Sequence, residues 1–294
     1  MLVGETSSWV RKQMGDIRLL VIDLDGTVVG ASNQLSLAVK QAIATAQAQG
    51  IAVAIATGRM YRSALRFHQE LHLTLPLMSY QGAFVKDPAT DTLLRHWAVP
   101  QEIGEYLLDF YEQDEWRDRL SVHFYINDQL YVRAINEETQ RYSERSGIEA
   151  IAVGDLRSLL RRHNPNPPGE ITKVLAQSPE VDLIDQLWGS LRRRYSATEL
   201  YTTKSVDIFL EATHPEVNKG AAVRYLAEEE LGIQAENVMA IGDNLNDLEM
   251  LQYAGLGIAM GSAPDAVKAV AQWVAADVEA DGAAIAIQKF LLSA

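Results

Sequence analysis

The chain has 294 residues, 48% of them apolar, no cysteine, and 26 basic against 39 acidic side chains, a formal charge of −13. This is enough apolar matter for one large core or two ordinary ones, so a disordered chain is excluded, as are disulfides, thiolate metal sites and thiol nucleophiles. The acidity opposes duplex nucleic acid and anionic membranes as partners, and a phosphate site would need positive charge gathered locally.

Residues 1–15 have no period and read as a peripheral extension. They lack the apolar stretch of a signal peptide, and no later run reaches membrane-spanning length, so a cytoplasmic protein is expected. The run Ile17–Ile22 reads as a strand buried on both faces, and it ends in Asp23-Leu-Asp25-Gly26-Thr27. Residues i and i+2 of a strand point the same way, so Asp23 and Asp25 can face the crevice outside the strand's carboxyl end. Two acids there repel unless a cation or a shared proton offsets them, and a hard divalent ion does so best. The alternatives are a loop with capping acids and a phospho-acceptor module without hydrolysis.

A helix from a Ser36 cap to Gly50 and a second strand, Ile51–Ala56, complete a crossover unit, so a right-handed parallel α/β domain is expected. That strand runs into Thr57-Gly58-Arg59, where a hydroxyl and backbone N–H groups could hold phosphoryl oxygens. Alternatively Thr57 caps the helix from Met60 to about Leu71. Leu75–Ser79 reads as a short strand before Tyr80-Gln81-Gly82-Ala83, a turn suited to a hinge.

From residue 84 the texture changes. Helices are expected at 101–112 and 181–193, and strands at Ser121–Ile126, Leu130–Arg133 and Ile171–Ala176, the last after a Pro/Asn-rich connector, His163–Gly169. Ser196–Thr203 and Val206–Leu210 read as another hairpin. The parallel pattern then returns. A helix from Asn218 carries Lys219 in its first turn, where the helix dipole disfavours a cation unless an anion is near. A strand over Asn237–Ile241 leads into Gly242-Asp243-Asn244-Leu245-Asn246-Asp247, a second acidic cluster whose plainer role is capping the next helix. Leu256–Met260 and Trp273–Val274 complete the sheet.

Two acids, a hydroxyl, a lysine and two further acids thus fall at strand ends or the helix after one, a mixture that suits phosphoryl transfer. In this order they resemble the haloacid dehalogenase superfamily, specifically the Cof-type, sugar-phosphatase-like branch with a C2B-type cap. Its four motifs are matched by Asp23-Leu-Asp25-Gly26-Thr27, by Thr57, by Asn218-Lys219-Gly220 with Asn in place of a common Ser, and by Gly242-Asp243-Asn244-Leu245-Asn246-Asp247.

The resemblance implies a Rossmann-like core over residues 16–83 and 211–294, with an α+β cap inserted over 84–210. It implies a Mg2+-dependent phosphatase of small phosphorylated metabolites working through an aspartyl-phosphate. Asp23 would be the nucleophile and Asp25 the acid and base, with Thr57 and Lys219 completing the catalytic set. Gly58, Arg59 and Asn246 would contact the phosphate or substrate, and Asp23, Asp25, Asp243 and Asp247 would surround the metal. A phosphomutase and a non-catalytic metabolite-binding regulator are the alternatives, and a monomer or weak homodimer is expected.

Overall fold

The computed structural model describes residues 16–160 and 169–292. The extension 1–15 and residues 163–168 of the connector lie outside them. The central sheet is parallel, in the order Trp273–Val274, Leu256–Ala259, Val238–Gly242, Leu19–Ile22, Ala52–Ile55. Strand Leu19–Ile22, between Val238–Gly242 and Ala52–Ile55, is buried throughout, as the unbroken apolar run requires. The pleat divides it: Leu20 and Ile22 pack with Val39 and Ile43 of helix Leu37–Ala48, while Leu19 and Val21 pack with Val223 and Leu226 on the other face. Each fully buried Leu or Ile of such a strand contributes roughly 1.5–3 kcal/mol. Helices on both faces of a parallel sheet make this the expected α/β core.

Ala56 bridges to Met78 in parallel, attaching strand Leu77–Ser79 beyond the sheet edge. Two strands absent from the sequence reading, Phe84–Asp87 and Thr92–His96, pair antiparallel in sequence onto Leu77–Ser79. The inserted segment then builds a six-stranded mixed sheet in the order Tyr201–Thr203, Phe209–Thr213, Ile171–Gln177, Ser121–Ile126, Gln129–Val132, Ala150–Ala152. Only the last pair is parallel. The last expected hairpin exists with a shifted second strand, 209–213 in place of 206–210, because its partner across the sheet is Ile171–Gln177.

Alternation decides what this sheet shows to each side. Phe124, Ile126, Val174, Ala176, Leu210 and Ala212 face helices Gln101–Tyr111 and Val181–Arg194. The opposite parity, including Lys173, Leu175, Gln177, Phe209 and Glu211, lines a cleft against the parallel sheet. Tyr125 reaches across it, its ring 5.7 Å from that of Tyr80. Among the described residues no helix is long and apolar enough to cross a membrane.

Candidate active site

The site lies at the carboxyl ends of the central strands. Asp23 follows strand Leu19–Ile22 directly and is buried. The chain must then turn sharply, and Gly26 makes this possible at φ +80°; a Cβ there would come within 2.2 Å of Asp243 Oδ2, so the close approach of the two acidic loops needs a glycine. Thr27 Oγ1 donates to Asp243 Oδ1 at 3.2 Å and lies 3.5 Å from Asp23 Oδ2.

Lys219 is fully buried and its Nζ donates to both Asp23 Oδ1 and Asp247 Oδ1, each at 2.6 Å. The anions that its place in a helix first turn calls for are therefore present. Its own N-cap is Asn218, whose side chain accepts from Ala221 N at 2.7 Å, so the Asn that replaces the more common Ser still starts the helix. Asp247 fills two roles at once. Its Oδ2 accepts the N–H groups of Asp243 and Asn244 in a capping box, while its Oδ1 takes Lys219.

Carboxylate oxygens of Asp23, Asp243 and Asp247 lie within 4.8 Å of one another. Three carboxylates and one ammonium leave a local charge of about −2, which a divalent cation with hard oxygen ligands matches. Burial raises the Asp23 pKa to about 7, with Lys219 opposing and Asp247 adding to the rise. Burial, then Asp23 and Asp247, push Asp243 up to about 9. These groups resist ionising together unless positive charge joins them. The residues therefore fit a divalent metal.

The Asp25 carboxylate turns away from that cluster. Arg59 grips it through two hydrogen bonds of 2.7 Å, and Arg145 from helix Glu137–Ser146 adds a third at 3.1 Å. Burial would raise its pKa, but the two guanidinium groups outweigh burial and hold it below the usual carboxylate range. Arg59 was expected as a substrate contact; it is also the main partner of Asp25. Its Nη1 is buried without a partner.

Thr57 is buried and its Oγ1 accepts from Arg59 N at 3.2 Å, so it does not cap the next helix, Tyr61–Glu70. Asn246 Nδ2 donates to Gln81 Oε1 at 3.1 Å, and its own Oδ1 has no partner. Asp23, Asp25, Thr57, Gly58, Arg59, Asp243 and Asn246 all border one cavity of about 360 Å3. Lys219 and Asp247 sit behind Asp23. The other wall comes from the inserted sheet and its helix, through Arg141, Arg145, Tyr142, Lys173, Leu175 and Phe209.

Gln81, Arg145, Lys173 and Glu211 escaped the sequence reading. Lys173 and Glu211 carried a signal, since each interrupts an apolar strand, and they form a buried ion pair of 3.0 Å at the cavity wall. Gln81 Nε2 also donates to Glu211 Oε2, at 3.2 Å.

Strand-end carboxylates bridged by a buried lysine, beneath a covered cavity, place this chain among α/β proteins with an acidic site at the carboxyl edge of a parallel sheet. Residues 20–287 match the haloacid dehalogenase-like hydrolase family, and the chain belongs to it. It is 30% identical over 285 residues to a 5-amino-6-(5-phospho-D-ribitylamino)uracil phosphatase of Bacillus subtilis strain 168, covering 92% of this chain and 97% of the relative. A second Bacillus subtilis phosphatase with that substrate in its name is 28% identical over 283 residues, 96% of this chain and 99% of its own length. Among solved structures, a haloacid dehalogenase-like hydrolase from B. subtilis superposes with a TM-score of 0.82 at 23% identity, over 94% of this chain and all of the other.

Proposed function

We propose that the protein is a Mg2+-dependent phosphatase of small phosphorylated metabolites, of the Cof-type branch, with residues 84–210 acting as a C2B-type cap. The observation that carries this reading is the Lys219 bridge: one buried ammonium orients Asp23 as a nucleophile and fixes Asp247 beside Asp243.

In this reading a carboxylate oxygen of Asp23 attacks phosphorus as the ester P–O bond breaks, and the departing alkoxide takes a proton from Asp25. Water then attacks the aspartyl-phosphate, Asp25 accepts its proton, and Asp23 leaves as carboxylate. The Arg59 and Arg145 contacts favour ionised Asp25, the form that deprotonates water. Acting as the acid requires Asp25 to take up a proton first, which both guanidinium groups oppose, so weakening of the Arg145 contact, the longer of the two, would favour that form. Thr57 Oγ1, the Gly58 N–H and Asn246 supply polar contacts for phosphoryl oxygens, and Lys219 balances charge on Asp23. Asp23, Asp243 and Asp247, with the Asp25 backbone carbonyl, would hold Mg2+, which when bound offsets charge on the phosphoryl group.

The test is phosphate release from 4-nitrophenyl phosphate and from a panel of sugar phosphates together with the phosphoribitylaminouracil named for the relatives, each with Mg2+ and with chelator. Release that depends on Mg2+ and vanishes in Asp23→Asn is expected. No release from any ester would overturn the proposal.

A further inference from the structure

The loop Thr57–Arg59 presents three consecutive carbonyls that must point away from any anion in the cavity. Thr57 O accepts from Gln81 N at 2.9 Å and Arg59 O from Tyr80 N at 2.9 Å, both from the adjoining turn. The middle one, Gly58 O, is held by Lys173 Nζ at 3.0 Å, a side chain 115 residues away on the central strand of the inserted sheet. The N–H of the same peptide, that of Arg59, donates to Thr57 Oγ1 at 3.2 Å, so Lys173 and Thr57 hold its two ends, and without Lys173 only the longer of these two bonds would fix its plane.

The loop's other end depends on the same domain. Helix Tyr61–Glu70 starts at Met60, which offers no side-chain cap. Its first two N–H groups, of Tyr61 and Arg62, donate instead to Asp128 Oδ1 and Oδ2, each at 3.1 Å. Asp128 stands at the tip of the Asn127-Asp128 hairpin turn of the inserted sheet, and Tyr80 Oη donates to the same carboxylate at 2.7 Å. Both cap residues are nearly buried, Asp128 at 9% exposure and Lys173 at 2%. A helix start normally capped from within its own segment is capped here from the other domain.

We propose that Asp128 and Lys173 are positioning residues that assemble the phosphate-binding loop, so that the loop takes its binding conformation only while the inserted domain is docked. The inference rests on reading Thr57–Arg59 as that loop. The inserted domain then does more than read the leaving group: it completes the part of the site that meets the phosphoryl group common to every substrate.

The test uses full-length protein and two readouts. One is the inhibition constant of inorganic phosphate against 4-nitrophenyl phosphate hydrolysis with Mg2+; the other is amide hydrogen exchange across residues 57–66. Asp128→Ala and Lys173→Met should each raise the inhibition constant at least ~5-fold, since small misplacements of binding groups are costly, and should speed exchange in the loop. Asp128→Asn, which still accepts one N–H, should recover most of both. Leu187→Ala, a cavity in the far side of the inserted domain, should lower the melting temperature and leave both readouts unmoved. If Asp128→Ala does not unfold cooperatively, Asp128→Ser is used, with the same direction expected. Phosphate inhibition within twofold of wild type, or an equal effect from Leu187→Ala, overturns the inference. Absence of hydrolysis by the wild type would instead refute the phosphatase reading, and the exchange rates would still decide whether the inserted domain orders the loop.

Discussion

Replacing Lys219 by Met removes the one ammonium between two buried carboxylates while keeping a side chain of similar length. Both contacts are 2.6 Å and the lysine is fully enclosed, so Asp23 and Asp247 would be left facing each other and Asp243 without neutralising charge. Breaking a buried pair by removing one partner costs about 3–5 kcal/mol, and that is the loss expected at pH 8 without metal. The loss must depend on pH, and its sign follows from the raised Asp23 pKa. Even with Lys219 present, burial puts this group at about 7, above its unfolded value, and without the lysine it rises further. The folded state then binds more protons than the unfolded one, so stability falls as pH rises from the unfolded pKa through the folded one. At pH 5 Asp23 is protonated in both proteins, so the penalty should be smaller than at pH 8 by ~1.36 kcal/mol for each pKa unit by which loss of the lysine raises Asp23 beyond about 7. Saturating Mg2+ should restore part of it at pH 8 by binding only the folded state, about 2.7 kcal/mol at a hundred times Kd. Urea unfolding at the two pH values, with and without Mg2+, measures all of this. Equal destabilisation at pH 5 and pH 8, or none at pH 8, would show that the lysine does not neutralise the buried acids.

Asp23→Asn should abolish turnover, because an amide cannot carry the phosphoryl group, and Asp25→Asn should cost at least ~10²-fold in kcat, because both proton transfers pass through it; steady-state rates on 4-nitrophenyl phosphate check both. Asp243→Asn should weaken Mg2+ binding in a calorimetric titration by at least ~10-fold, yet unfold no more easily than wild type in chelator, since it removes one of three crowded acids. His123 should make the protein acid-sensitive: burial, then the Lys173 charge, lowers its pKa to about 3. Unfolding lets it return to about 6.5, so the unfolded state binds the extra proton and stability falls as pH drops below that value, by ~2 kcal/mol at pH 5. His123→Gln should flatten that part of the stability profile, and an unchanged slope between pH 6.5 and 5 would refute the assignment.

The parallel core was legible because its chemistry sits at strand ends, and each strand end is a local pattern: an apolar run that stops at Asp23, Thr57 or Asp243. What joins those ends was also partly legible, since Lys219 in a helix first turn asks for an anion and finds two. The inserted domain was read less well, for identifiable reasons. Helix Glu137–Ser146 buries only Thr139, so it has no apolar stripe to reveal it, although it delivers Arg145 to Asp25. The strands Phe84–Asp87 and Thr92–His96 are half-exposed and interrupted by a register shift at Val85/Lys86, which blurs their alternation. Val206 and Ile208 have strand-like side chains but border the cavity, and the strand begins only at Phe209. Contacts such as Lys173 to Gly58 join residues with no common pattern, so only the buried charge itself points to them.

The charge distribution ties these parts together. A chain at −13 should repel an anionic ester, yet Arg59, Arg141, Arg145 and Lys173 border one cavity of about 360 Å3, with Lys219 behind Asp23. Surface acids more than about 8 Å from the cavity are largely screened at physiological ionic strength, so the ester meets the groups at the cavity's border, these cations together with the carboxylates of Asp23, Asp25, Glu138, Glu211 and Asp243. Three of these five cations come from the inserted domain, and one of them already holds Asp25. An entering anionic group therefore competes with Asp25 for Arg145. Success in that competition removes one of the three hydrogen bonds on Asp25 and leaves the two from Arg59, so it eases the protonation of Asp25 that the first chemical step needs and links that step to a residue outside the core sheet. Arg145→Gln separates the two effects: it should raise KM for anionic leaving groups more than for neutral ones, whereas an equal rise for both would show that Arg145 serves only to dock the cap.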